Sequence, residues 1–146
     1  MTDVSLRTFI SIKIPAFETV REIVDELNKV ENIRTSPFDQ VHVTLLFLGD
    51  VKPASIPILC NRMRHTLSDT KEFDVLLKDV GTFPSKGGPR VVWIGLEADA
   101  LNDIVSKISR ELDTLDLGYD RKTFTPHMTI GRINGKTDIH DIVKKN

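Results

Sequence analysis

Two short stretches of the chain carry one pattern, a histidine and a threonine two residues apart between apolar residues. The first contains His42 and Thr44, and the second contains His127 and Thr129. Both stretches predict strands, in which alternate side chains share a face, so each histidine lies on the face of its threonine. A single histidine in an apolar strand is most often a buried structural residue, but two copies favour function. Two imidazoles, with an ordinary pKa of about 6.5, can act as a general acid and a general base near neutral pH.

The sequence around these motifs resembles the 2H phosphoesterase superfamily, in its RNA 2′,3′-cyclic phosphodiesterase branch, also called 2′-5′ RNA ligase-like. The similarity extends from Arg7 to about Ile133. Its segments are residues 7–12 (RTFISI), 42–49 (HVTLLFLG), 89–95 (PRVVWIG) and 124–132 (FTPHMTIGR). The histidine and threonine pattern alone is weak evidence for this family. The apolar run that ends in Phe-Leu-Gly and the second motif that ends in arginine make the similarity specific.

The resemblance implies hydrolysis of a terminal 2′,3′-cyclic phosphate to a 2′-phosphate, with 2′-5′ RNA ligase activity as an associated reaction. It also implies that the ribose 3′ oxygen is the leaving group, with His42 as the general acid and His127 as the general base. The residues themselves do not distinguish these two roles. The implied partner is RNA ending in a 2′,3′-cyclic phosphate, for which tRNA halves are one candidate and a small cyclic nucleotide another.

Three further side chains suit a phosphate. The hydroxyls of Thr44 and Thr129 can donate hydrogen bonds to non-bridging oxygens as negative charge develops. Arg132 adds a planar guanidinium group with a permanent positive charge. Its odd spacing from His127 would place it on the opposite strand face, so a bend or bulge near Gly131 is required. A structural surface arginine is the alternative. Because neither histidine motif contains a carboxylate, the residues fall short of the three ligands usual at a catalytic zinc, and neither a metal nor a cofactor is predicted.

Composition limits the class of protein. With 20 basic and 21 acidic residues, the chain lacks the positive excess of a protein that coats nucleic acid, so we expect local contact with an RNA end. The single cysteine, Cys60, excludes an intramolecular disulfide and favours a reducing compartment. No apolar run approaches the roughly 20 residues needed to span a bilayer, so we expect a cytoplasmic protein that does not contact membranes.

Hydrophobic periodicity predicts the elements that position the motifs. Apolar residues alternate in strands and recur at three- and four-residue intervals in helices. Strands are predicted at 6–14, at each histidine motif, at 73–83 and at 90–96. Helices are predicted at 20–30, 56–67, 101–115 and 138–145, a loop at 32–40, and a turn between lobes at 84–89. Phe9, Phe47 and Phe83 are candidates for stacking on a base, but core packing is favoured for aromatic residues in apolar strands.

The order strand, helix, loop and histidine strand occurs twice. We therefore expect one α+β domain with two pseudo-symmetric halves, about 1–83 and 90–146. Each half would contribute to two antiparallel sheets flanked by helices, with the histidines meeting across a central cleft. The second half has no strand matching 73–83, so the domain is expected to be abbreviated at its C-terminus.

Two other functions remain open at this point. One is a catalytically idle module that binds RNA ends or nucleotides. The other is a 2H phosphoesterase for a small cyclic nucleotide or a nucleotide-sugar phosphate. The oligomeric state and the RNA substrate are not predicted by the sequence.

Overall fold

The computed structural model describes residues 4–14, 17–84, 88, 90–137 and 139–146. The chain divides into two compact units, each made of three separate segments. Unit 1 comprises Met1–Ser11, Thr44–Val75 and Ala98–Phe124, and unit 2 comprises Ile12–Val43, Leu76–Glu97 and Thr125–Asn146. Each unit therefore draws on both halves of the sequence.

Antiparallel strands and flanking helices confirm the predicted α+β class. Within the described ranges, the strands are β1 (Leu6–Lys13), β2 (Ile33–Thr35), β3 (His42–Val51), β4 (Leu76–Phe83), β5 (Val91–Glu97) and β6 (His127–Ile133). The helices are α1 (Glu18–Leu27), α2 (Ser55–Thr66), α3 (Asp99–Thr114) and α4 (His140–Lys145), with a 3₁₀ turn at Phe38–Gln40. Among the described residues, no helix has the length and apolar character needed to cross a membrane.

Unit 2 contains an antiparallel sheet in the order β4, β5, β6. The far edge of β6 pairs with β2 along residues 131–133 and with the beginning of β3 at Met128. One face of this sheet is apolar and buried, through Val92, Ile94, Met128 and Ile130. Each such side chain contributes about 1.5–3 kcal/mol when it leaves water. The other face carries the polar residues of the histidine motifs.

Helix α1 packs against β6 and β2 in unit 2, and α4 packs against α1 and β4. The buried side of α1 is Val20, Ile23, Val24 and Leu27, as helical spacing predicts. The predicted stripe continues to Val30, which is half-buried and lies after the end of the helix. Lys145 of α4 also forms an ion pair with Glu26 of α1, with 2.9 Å between Nζ and Oε1.

Unit 1 contains the neighbouring strands β1 and β3 and the packed helices α2 and α3. Helix α3 buries most of the stripe that helical spacing predicts, namely Leu101, Ile104, Val105, Ile108 and Leu112. The last residue of that stripe, Leu115, is half-buried just after the helix ends. Helical spacing predicts a buried stripe on α2 made of Ile56, Leu59, Cys60, Met63 and Leu67. This prediction is only partly correct, since Leu59 is the one fully buried residue of α2 and Cys60 is exposed. The helices are also joined by an ion pair between Arg62 and Glu111, at 3.6 Å.

The first helix of each half lies in a unit that also contains strands of the other half. Helix α1 follows β1 in the chain but lies in unit 2, with β5 and β6. Helix α3 follows β5 but lies in unit 1, with most of β1 and β3. Neither unit is therefore a continuous piece of sequence.

Several elements differ from the sequence prediction, and α1 ends at Leu27 rather than at residue 30. β2 lies inside the predicted 32–40 loop, β4 begins at Leu76 rather than at residue 73, and α4 begins at His140. A strand of three residues is too short to show a period, and its stability comes from pairing with β6. The predicted 84–89 turn and the first residue of the predicted last helix, Asp138, fall largely outside the described residues.

Candidate functional site

Pairing between β3 and β6 brings His42 and His127 of unit 2 together. Val43 lies opposite Met128, and both side chains are fully buried on the apolar face. In an antiparallel pair this register sets His42 opposite Thr129, with both side chains on the other face. His127 is two residues from Thr129 and so shares that face. His42 and His127 are then diagonal neighbours, for which Cβ atoms are about 7–8 Å apart or slightly less.

Both imidazoles are held by the same local hydrogen bond. His42 Nδ1 lies 3.0 Å from the carbonyl oxygen of Gln40, and His127 Nδ1 lies 2.7 Å from that of Thr125. A carbonyl oxygen only accepts, so each Nδ1 carries a hydrogen and donates it. Each Nε2 is then the nitrogen that can gain or lose a proton in a reaction. The two rings are therefore prepared in the same tautomer.

The two accepting carbonyls are themselves fixed by backbone structure. Gln40 ends the 3₁₀ turn, where its amide donates to the carbonyl oxygen of Pro37 at 2.9 Å. Thr125 precedes Pro126, which disfavours a helical conformation for Thr125. The carbonyl of Pro126 also accepts a hydrogen bond from Leu96 at 3.0 Å. The orientation of each ring thus depends on the chain just before its strand.

A β-bulge in β6 turns Arg132 onto the face of the histidines. Val92 pairs with Gly131, whereas Trp93 pairs with Thr129, so Ile130 is an extra residue on β6. Ile130 and Gly131 are consecutive buried residues, and Arg132 after them is exposed. The bulge that the odd spacing from His127 requires is therefore present. A Cβ on Gly131 would lie 3.3 Å from Cγ2 of Ile33, a tight contact that favours glycine here.

The two threonines lie on the strands as the sequence predicts. Thr129 is half-buried, opposite Trp93 of β5 on one side and His42 on the other. Thr44 is half-buried two residues after His42 and shares its strand face, within the part of β3 assigned to unit 1. Across the residues that the structure describes, no three His, Cys, Asp or Glu side chains are grouped as a metal site.

Two residues on this face, Trp93 and Arg34, were not singled out by the sequence. The Trp93 ring lies edge-on to the ring of His127, with centroids 6.5 Å apart and an interplanar angle of 65°. Trp93 also pairs with Gly81 of β4, where a side chain would overlap the indole. Arg34 of β2 lies opposite Arg132. Only strand register reveals these neighbours, because both residues are distant in sequence from the motifs they adjoin.

The preference for core packing of three phenylalanines is wrong. Phe9 and Phe47 of unit 1 are 48% and 54% exposed, and Phe83 of unit 2 is 69% exposed. The rings of Phe9 and Phe47 lie 6.1 Å apart. Strand alternation predicts which side chains share a face, but not which face other elements cover.

In this α+β fold, two histidines with the same Nδ1 hydrogen bond lie on one sheet face. This arrangement is typical of enzymes that cleave phosphoesters by acid–base catalysis. The family model described as the 2′-5′ RNA ligase superfamily matches residues 15–146, which is most of the chain. The chain belongs to this superfamily.

Relatives and solved structures agree with this assignment. The chain is 32% identical to the RNA 2′,3′-cyclic phosphodiesterase of Archaeoglobus fulgidus, over 96% of this chain and 80% of that protein. It is 31% identical to the protein of the same name from Methanocaldococcus jannaschii, with the same coverage. A crystal structure from Thermus thermophilus has a TM-score of 0.74 and 27% identity, covering 90% of this chain and 76% of that one. E. coli LigT complexed with 3′-AMP is similar in fold, with a TM-score of 0.68, 23% identity and coverage of 91% and 76%.

Proposed function

We propose that the protein hydrolyses the terminal 2′,3′-cyclic phosphate of RNA to a 2′-phosphate by two-histidine acid–base catalysis. The observation that carries this proposal is the matched pair His42 and His127. The two rings lie on one sheet face with Nδ1 of each donating to a backbone carbonyl. Such a pair presents two Nε2 atoms to one substrate, as an acid and a base require. Relatives named RNA 2′,3′-cyclic phosphodiesterase support the same reaction.

In the proposed reaction, Nε2 of His127 accepts a proton from water as the water oxygen attacks phosphorus. The bond from phosphorus to the 3′ oxygen breaks, and protonated His42 gives its Nε2 proton to that oxygen. The hydroxyls of Thr44 and Thr129 donate to the non-bridging oxygens, and Arg132 contributes positive charge. Attack by the 5′ hydroxyl of a second RNA in place of water would give a 2′-5′ linkage, which is the associated ligase reaction.

Product analysis with an oligonucleotide ending in a 2′,3′-cyclic phosphate tests this function. We expect a 2′-phosphate product, and a fall of about 10²–10⁴-fold in turnover for either His42→Ala or His127→Ala. His65→Ala, on the exposed side of α2, is the matched control and should keep full activity. Activity that survives both histidine substitutions, or that chelator abolishes, would refute the proposal.

A sulfur-substituted substrate separates the acid from the base. A thiolate leaves without protonation, so a cyclic phosphate with sulfur in place of the bridging 3′ oxygen does not need the general acid. If His42 is the acid, His42→Ala should regain most of its activity on this substrate, whereas His127→Ala should not. Rescue of His127→Ala instead would reverse the two roles.

We further propose that the physiological substrate is an RNA end in the cytoplasm, with tRNA halves as one candidate. The free thiol of Cys60 is exposed, which suits a reducing compartment. Sequencing of RNA that gains 2′-phosphate ends when the protein is expressed would identify the substrate.

A further inference from the structure

Two arginines lie side by side on the sheet face that carries the histidines. Arg34 of β2 is the cross-strand partner of Arg132 of β6, and both side chains are exposed. Like charges directly opposite each other destabilise a sheet. Within the described ranges, neither arginine forms an ion pair with an acidic side chain. An anion held between the two guanidinium groups would remove the repulsion.

Strand register places this arginine pair one row away from the proposed reaction centre. One transverse row contains Trp93, Thr129 and His42, and the next contains Val91, Arg132 and Arg34. Rows on one face of a sheet are about 7 Å apart, because two residues separate them. A phosphate between His42 and His127 would therefore have the arginine pair within reach of the next phosphate along a nucleotide chain.

We propose that Arg34, together with Arg132, binds the phosphodiester immediately 5′ of the terminal cyclic nucleotide. This proposal rests on the proposed function, and it makes Arg34 a specificity residue that favours an oligonucleotide over a mononucleoside cyclic phosphate. The planar forks of two guanidinium groups match the tetrahedral oxygens of one phosphodiester. Arg34 acts on the substrate chain and not on the scissile bond.

Paired substrates test the subsite. We expect Arg34→Gln to lower kcat/KM about 10-fold or more for a dinucleotide ending in a cyclic phosphate, the size of a lost charged hydrogen bond. Hydrolysis of the mononucleoside 2′,3′-cyclic phosphate should be unchanged. Replacing the internal phosphodiester with a neutral methylphosphonate should lower kcat/KM of the unsubstituted protein at least as much, because both arginines lose their partner. The same replacement should cost less in Arg34→Gln, where Arg132 alone contacts this phosphodiester. Arg64→Gln, at an exposed position of α2, controls for loss of one positive charge.

Salt dependence provides a second readout. Each lost phosphate contact should make the plot of log KM against log salt for the dinucleotide shallower by about 0.7, as for single strands. Equal losses on both substrates would place Arg34 at the cyclic phosphate and overturn the subsite. Unchanged kinetics on both would overturn it as well.

Calorimetry with the dinucleotide 2′-phosphate keeps the subsite testable without turnover. If the dinucleotide 2′-phosphate binds Arg34→Gln more weakly than the unsubstituted protein, the subsite is supported. If the same protein also fails to hydrolyse the cyclic phosphate, the proposed function is refuted while the subsite stands. Equal binding would overturn the subsite, whatever the activity.

Discussion

Replacing Gly81 with alanine should disturb the candidate site without touching a histidine. Gly81 of β4 pairs with Trp93, and the indole covers the place where a Cβ would stand. The added carbon would overlap Cζ2, with Cη2 at 2.5 Å and Cε2 at 2.8 Å. Moving Cη2 alone from 2.5 Å to an ordinary 3.4 Å contact requires a shift of about 0.9 Å, so the whole rigid ring must move.

The magnitude follows from this displacement. Forcing an extra carbon into a packed position costs about 1–3 kcal/mol of unfolding free energy. For a chain of this length, each kcal/mol lowers Tm by about 2–4 °C. The indole also loses its edge-on contact with His127, and displacements of about 1 Å near reacting groups reduce rates by up to about 10². We therefore expect a lower Tm and a larger proportional loss in turnover.

Thermal melts and cyclic phosphate hydrolysis measure the two effects. Gly118→Ala is the matched control, since nothing lies within 4 Å of a Cβ at that position. In a Trp93→Ala background, Gly81→Ala should cause almost no further loss of Tm or turnover, because the overlapping ring is absent. A Gly81→Ala protein with unchanged Tm and turnover would show that the indole does not lie over Gly81, and would refute the reasoning.

Three other outcomes follow from the site and its surroundings. Thr129→Val should lower kcat by up to about 10²–10³, as for loss of an oxyanion donor, with KM nearly unchanged; a complete loss would indicate a structural role. Turnover should fall on both sides of a pH optimum, because one of His42 and His127 must be protonated and the other neutral, and a profile with only one limb would contradict that pairing. The hydrogen bond and negative charge of Glu26 raise the pKa of Lys145, so this pair stabilises the fold below the ordinary lysine pKa and loses its effect as pH rises through the raised pKa. Urea unfolding should then show Lys145→Gln slightly less stable than the unsubstituted protein at pH 8, with the difference closing at alkaline pH; a constant difference would contradict an electrostatic origin.

The sequence predicted those features that repeat over several residues. The stripes of α1 and α3 and the two histidine strands were correct because burial of one face enforces their periods. The bulge before Arg132 was also predictable, since a charged residue out of phase in a strand requires an extra residue.

Features that depend on partners distant in the chain could not be predicted. β2 is too short to have a period, and it is a strand because β6 supplies its hydrogen bonds. Trp93 and Arg34 join the candidate site only through register, which a single sequence does not contain. The exposure of Phe83 likewise depends on which face of β4 other elements cover.

The division of each unit into three sequence segments determines when the protein can fold. Unit 1 needs residues up to Phe124, and unit 2 needs residues up to Asn146. Because helix α1 packs against β6 and α4, an emerging chain that ends before β6 lacks elements that cover the buried side of α1, which includes Val20 and Leu27. Folding is therefore dominated by contacts between distant residues and should be slow and late during synthesis, rather than proceeding one unit after the other. A nick between the halves would separate segments that belong to the same unit, in both units.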